Sequence, residues 1–164
     1  MAVDRTSKVA FAEPQPEATK AVAADFLRRV LAALPYKVHT ILTDNGTQFG
    51  NMADQRRAFR HIFDRLCDAY DIEHRFTKPA HRWTNGQVER MNRTIKETTV
   101  LRYHYQTTDQ LNRHLQSFLL AYNHARRLKT LPGLTPHQFI CAQHQTNPLT
   151  FNLNPTQIMS GIYN

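Results

Sequence analysis

Between Lys8 and Phe76 the spacing of apolar residues switches repeatedly between a period of two and a period near 3.6, and this alternation limits the possible folds more than any other feature. Lys8-Val9-Ala10-Phe11-Ala12-Glu13 alternates as a half-exposed strand does, and Pro14 and Pro16 stop it. From Thr19 onward Val22, Ala23, Phe26, Leu27, Val30, Leu31 and Leu34 recur at threes and fours, one face of a helix ended by Pro35. Residues 38–43 form a β-branched run leading into the turn residues Asp44-Asn45-Gly46. Phe59, Ile62, Phe63, Leu66, Cys67 and Tyr70 predict a second helix, and 72–76 a further strand. A β-α-β-α-β order of this kind belongs to the α/β class.

The second half reads as helices. Thr84 followed by Gln87 fits a capping box, and Val88, Met91 and Ile95 then form the apolar stripe of a helix running toward Arg102. Leu111, Leu115, Phe118, Leu119 and Tyr122 mark the next helix. Thr135-Pro136 with Gln138 supplies the cap, first-turn proline and third-position glutamine of a short last one. Residues 146–164 carry Asn, Pro and Thr without a period, so they are expected as an extended strap or loose tail behind a single core at 1–145. A chain of 164 residues suits one such domain.

Charge then narrows the partner. Residues 1–73 hold ten acidic and ten basic side chains, whereas 74–164 hold eleven basic and three acidic, so the whole net charge of +8 lies in the second half. Nothing after Lys129 is charged, which confines the excess to 75–129 and favours a polyanionic partner over a merely solvated basic face. Apolar runs fall far short of the ~20 residues that span a bilayer, and no export signal opens the chain, so no membrane is expected and the location is read as cytoplasmic. Cys67 and Cys141 read as buried thiols, and nine histidines without metal-ligand pairing give no zinc site.

Three carboxylates stand where this layout can bring them together: Asp4 at the end of the first strand, Asp44 at the end of a later one, and Glu89 in the first turns of a helix. Crowded at 4 Å they would repel by about 4 kcal/mol per pair at an effective dielectric near 20, so a cation or protons must offset them. Hard oxygen donors without an accompanying His or Cys motif favour Mg²⁺ or Mn²⁺, and two such ions suit an in-line displacement at phosphorus. Taken singly, Asp4-Arg5-Thr6-Ser7 and Asp44-Asn45-Gly46 read as tight turns before they read as metal ligands. Glu89, Arg93 and Lys96 share one helical face, flanked by Arg90 and Arg102, and either form an intrahelical ion pair or present cations beside a metal-binding carboxylate. His74, His81 and Trp83 either stack on unpaired bases or pack inside.

Leu42-Thr43-Asp44-Asn45-Gly46-Thr47-Gln48-Phe49 and Trp83-Thr84-Asn85-Gly86-Gln87-Val88-Glu89-Arg90-Met91-Asn92-Arg93-Thr94-Ile95-Lys96 together resemble the catalytic core of bacterial insertion-sequence transposases of the retroviral-integrase type, the DDE superfamily. Asp4-Arg5-Thr6-Ser7-Lys8 resembles that family's first aspartate motif, and Ala121-Tyr122-Asn123, Arg126-Arg127-Leu128 and Gly133-Leu134-Thr135-Pro136 resemble its C-terminal helices. The resemblance implies an RNase H-like fold, a central mixed β-sheet flanked by helices on both faces. It also implies that Asp4, Asp44 and Glu89 hold two Mg²⁺ or Mn²⁺ ions, that Arg93 and Lys96, with Arg90 and Arg102 beside them, contact DNA, and that Asn92 positions the scissile phosphate.

The implied activity is metal-dependent DNA cleavage and strand transfer in transposition, acting on transposon ends and target. A homo-oligomer or pairing with full-length transposase is expected, at the nucleoid. Only three residues precede Asp4, so the chain resembles a family member truncated at its N-terminus, with residues 51–60 as a surface insertion and Arg82 in a place where the family commonly has proline. The alternative is a catalytically impaired fragment that only binds DNA or pairs with, and inhibits, a transposase.

Overall fold

Of the alternating segment Lys8 to Glu13 only Ala10–Phe11 (β2) is a strand, and it pairs antiparallel with Ala2–Val3 (β1), a strand that no period announced, Ala2 opposite Phe11 and Val3 opposite Ala10. It is followed by Lys20–Ala33 (α1), Thr40–Thr43 (β3), Ile62–Ala69 (α2), Glu73–Phe76 (β4), Gly86–Thr98 (α3), Thr108–His124 (α4), Pro136–Thr146 (α5), a 3-10 turn at Pro148–Thr150, and Pro155–Ile158 (α6). The computed structural model describes residues 1–51, 60–77 and 86–158. The chain divides into two units, Met1–Pro14 with Gln87–Asn164, and Gln15–Gly86.

In the unit 15–86, the Thr19 hydroxyl accepts the Val22 N–H at 3.2 Å and starts α1, and Leu34 is extended, as the residue before a proline must be. The apolar face of α1 delivers Ala23, Ala24 and Leu27 to a core shared with Phe63, Leu66, Cys67 and Ile72. Helix α2 starts at His61, whose Nδ1 accepts the Phe63 N–H, and ends at Asp71, which takes a left-handed φ of 55° while Ile72 N–H closes onto the Cys67 carbonyl. This helix joins two parallel strands, β3 and β4, in the register Thr40 with Glu73 through Thr43 with Phe76. Phe59 lies outside the described residues.

In the other unit, Ala10, Ala12, Met91, Leu115, Leu119 and Tyr122 form the core, with Met1, Val3, Ile95 and Phe118 packed against it. Helix α3 stops at Thr98 instead of continuing to Arg102. The Thr98 and Thr99 hydroxyls donate back to the Thr94 and Ile95 carbonyls, and Leu101 N–H turns onto Lys96 O at 2.9 Å, which ends the regular ladder. The Thr84 half of the anticipated capping box lies outside the described residues. At α5 the anticipated box is present in full, with Thr135 and Gln138 exchanging both bonds and Pro136 in the first turn.

Where 146–164 was expected to be an extended or loose segment, residues 148–158 fold into the 3-10 turn and α6, because the Asn154 carboxamide oxygen accepts both the N–H and the hydroxyl of Thr156 and Pro155 is buried. Among the described residues no helix is long and apolar enough to cross a membrane. Cys67 is buried and Cys141 half-buried, both as free thiols; burial pushes the Cys67 thiol up to about 11.

Two histidines tie stability to pH. Burial holds His61 and His124 below the ordinary value of 6.5; His61 donates Nε2–H to the Thr47 carbonyl while its Nδ1 serves as the helix cap, and His124 Nε2 is buried without a partner among the described residues. The unfolded chain therefore takes up protons first, so stability is complete above 6.5 and is lost as pH falls through and below that value. Urea midpoints should fall between about pH 7 and about pH 5, and this loss should shrink in His61→Asn, whose side chain keeps a cap acceptor that does not titrate.

Candidate active site

Asp4 follows β1, and the turn that links β1 to β2 is built around its carboxylate. Oδ1 accepts the Thr6 N–H and Oδ2 the Ser7 N–H, both at 3.0 Å, and the Ser7 hydroxyl also donates to Oδ2. The backbone closes the same loop, Asp4 N–H to Val9 O at 2.9 Å and Lys8 N–H to Asp4 O at 3.0 Å, with Lys8 at a left-handed φ of 64°. The side chain is thus fixed in direction by its own turn.

Asp44 leaves the carboxyl end of β3. Its Oδ1 accepts the Gly46 N–H at 2.9 Å, an Asx turn, and the residue is exposed. The loop after it is pinned to β4 and α2: Asn45 Nδ2 donates to Thr77 O at 2.8 Å, and His61 to Thr47 O at 3.2 Å. Gly50 lies against Phe76 so closely that a Cβ there would come 2.6 Å from the ring, which explains a residue without a side chain at this point.

Glu89 sits in the first turn of α3, where the helix N-terminus favours a carboxylate. Met91 is buried against the core, and Val88 and Ile95 are half-buried, which turns Glu89, Arg90, Asn92, Arg93 and Lys96 to solvent. Glu89 and Arg93 make no ion pair among the described residues, so the intrahelical salt bridge that the spacing allows is not formed. Arg102, beyond the helix, lies over the Tyr103 ring with 5.8 Å from Cζ to the centroid.

Asp4 and Glu89 belong to one unit and Asp44 to the other. Among the described residues no group of three or more His, Cys, Asp or Glu side chains is arranged to hold a metal ion. The donor chemistry of the three still suits a hard divalent cation: all are carboxylates, and Asp44 and Glu89 are exposed.

His74 is not available to stack on bases. Its side chain is 4% exposed, with ring centroids 4.9 Å from Phe63 and 4.4 Å from Phe76. His81 and Trp83 lie outside the described residues. The roles of His61, His74 and Thr43 in holding the Asp44 segment were not read from the sequence; the available signal was a strand, 72–76, whose central residue is a histidine among residues of mixed polarity.

Two family models, both described as integrase core domain, match residues 1–82 and 70–136. Among solved structures the chain resembles the catalytic core domain of BIV integrase, with 23% identity over 88% of this chain and 86% of that one and a TM-score of 0.64. It also resembles the HTLV-2 integrase catalytic core domain in complex with magnesium in a trimeric form, with 23% identity over 84% of this chain and 80% of that one and a TM-score of 0.61. A third likeness is to a chain of the simian T-cell lymphotropic virus intasome in complex with PP2A regulatory subunit B56 gamma, with 23% identity over 84% of this chain and 45% of that one and a TM-score of 0.66. These likenesses establish the RNase H-like fold that the sequence motifs implied. No curated protein is matched by sequence.

The two aspartates differ in how far local structure depends on them. Asp4→Ala removes the acceptor of three hydrogen bonds and should destabilise the chain by about 1–3 kcal/mol in urea unfolding. Asp44→Ala removes one bond at an exposed turn and should cost less than about 1 kcal/mol; equal losses would contradict this assignment of the turns.

Proposed function

Because the chain belongs to the integrase core domain family, we propose that it is the catalytic core of a DDE-type transposase of the bacterial insertion-sequence kind, cutting DNA at transposon ends and joining the 3′ ends to target DNA. In this reading residues 1–145 are the catalytic core, and Asp4, Asp44 and Glu89 hold two Mg²⁺ or Mn²⁺ ions. When bound, the ions supply Lewis acidity to an in-line displacement at phosphorus.

The protein's own residues orient the DNA for that displacement. Arg93 and Lys96, with Arg90 and Arg102 nearby, neutralise backbone phosphates, and the Asn92 carboxamide donates to the scissile phosphodiester. The turns at Asp4 and Asp44 fix each carboxylate before any cation arrives, which reduces the reorganisation needed at the site. The observation that carries the reading is the solvent-facing stripe of α3, where Glu89, Arg93 and Lys96 are exposed and engaged in no ion pair among the described residues. The trimeric form of one similar core and the intasome that contains another similar chain favour action as a homo-oligomer.

Strand-transfer assays with oligonucleotide ends in Mn²⁺ test this directly. Joined product is expected from the wild-type chain and not from Asp44→Asn or Glu89→Gln. Salt-sensitive DNA binding without product from the wild type would instead support a fragment that binds DNA or restrains an active transposase.

Lys96→Ala should weaken DNA binding alike on all sequences and lower the slope of log affinity against log salt by about one. An unchanged slope would mean that this lysine faces only solvent.

A further inference from the structure

A chain of part-buried hydrogen bonds ends one residue before Asp44. The Asp64 carboxylate on α2 lies 2.6 Å from His74 Nδ1 on β4, and His74 Nε2 lies 2.8 Å from the Thr43 hydroxyl, the last residue of β3. With Nδ1–H donated to the Asp64 carboxylate, Nε2 is left to pair with the Thr43 hydroxyl. Carboxylate, imidazole and hydroxyl in this order match a nucleophile triad, but Thr43 is only 8% exposed and lies within a strand, so its oxygen is closed to a substrate. The same bonds serve well as an anchor.

We propose that His74 is a positioning residue for Asp44: by linking the Thr43 hydroxyl to the Asp64 carboxylate it fixes the end of β3 from which the Asp44 side chain departs. The ring is itself fixed, between Phe63 and Phe76, and Asp64 is 29% exposed, so the far end of the chain remains hydrated. The backbone continues the restraint, with Thr77 N–H on Thr43 O at 2.8 Å. On the other side of Asp44, Asn45 is held to Thr77 and Thr47 to His61. The Asp44 turn is thereby tied on both flanks to the same two elements, α2 and β4. A network whose central ring is buried and whose members are all paired is rigid, which is the property a metal-binding carboxylate needs in order to hold one direction.

The positioning role rests on the reading of Asp44 as a metal ligand, and the test separates the two. In the full chain, amide exchange at Gly46, whose N–H bonds the Asp44 carboxylate, reports local opening of the turn. Thr43→Val keeps shape and loses the hydroxyl, His74→Phe keeps the ring contacts and loses both bonds, and Thr43→Ser restores the hydroxyl. Thr43→Val and His74→Phe should speed Gly46 exchange by roughly five- to tenfold relative to the core amide of Leu66, with Thr43→Ser near wild type.

The Mn²⁺ concentration that half-broadens the Gly46 amide signal should rise by a similar factor in the first two variants. Unchanged Gly46 exchange in both, or equal acceleration at Leu66, would overturn the positioning role. Wild-type spectra without Mn²⁺ broadening would overturn the metal reading of Asp44, and the exchange comparison with its serine rescue would still decide the anchor.

Discussion

The amide of Asn123 holds the N-terminal hairpin in place. Its oxygen accepts the Ala10 N–H at 3.0 Å and its nitrogen donates to the Ala10 carbonyl at 2.9 Å, so a helix side chain takes the part that a third strand would play for β2. Gln116 adds a bond to Ala12 O at 3.0 Å from two helical turns further back. Each strand of the hairpin is two residues long, and a two-stranded ladder is marginal by itself in water. Leaving the buried Ala10 donor and acceptor unmatched would cost about 1–3 kcal/mol apiece. The direction in which Asp4 leaves β1 is therefore set as much by α4, more than a hundred residues along the chain, as by the turn that contains it.

Local signals were legible wherever the bond that makes an element lies within a few residues. The cap at Thr135 and the stripes of α1, α2 and α4 follow from spacing alone, and so does the order of elements from β2 to Phe76, whereas β1, two residues long, left no period to read. The end of α3 was misplaced because the apolar spacing persists past Thr98 while two neighbouring threonine hydroxyls compete for the helix carbonyls. At the C-terminus Asn154 and Pro155 carried a cap signal, but the helix behind it is a single turn, too short for any period to register. Asn123 was legible only as part of a motif. On α4 it falls four residues after Leu119 and eight after Leu115, on the apolar stripe, and a polar residue there implies a buried partner without naming which strand supplies it.

At the candidate site the sequence left each aspartate with two readings, and the structure shows why they need not compete. Asp-x-x-Ser and Asp-Asn-Gly are turn formers because a short carboxylate reaches the N–H groups two and three residues ahead, and those are the bonds Asp4 and Asp44 make. A backbone N–H is a neutral donor: it orients a carboxylate and eases its charge while occupying only one of its roughly four lone-pair sites. The same geometry therefore serves as a plain turn or as a ligand aimed in advance. For this reason the aspartate motifs carry little meaning one at a time, and the anchoring of Thr43 and Asn45, invisible in the motif, carries more.

The α3 helix breaks this symmetry between turn and site. Glu89 in the first turn and Lys96 in the last each have a local justification, since both complement the helix dipole. Arg90 and Arg93 have none: they are exposed, mid-helix, and in no ion pair among the described residues. Further along, Arg126, Arg127 and Lys129 lie more than a dozen residues past the last acidic side chain of the sequence, Asp109, so none of them has a carboxylate at i−3 or i−4. A fold seeking only stability would gain a few tenths of a kcal/mol from each i,i+4 pair on such a surface. Leaving these cations unpaired beside one another instead raises the local potential, and a polyanion that releases counterions on binding converts that potential into affinity.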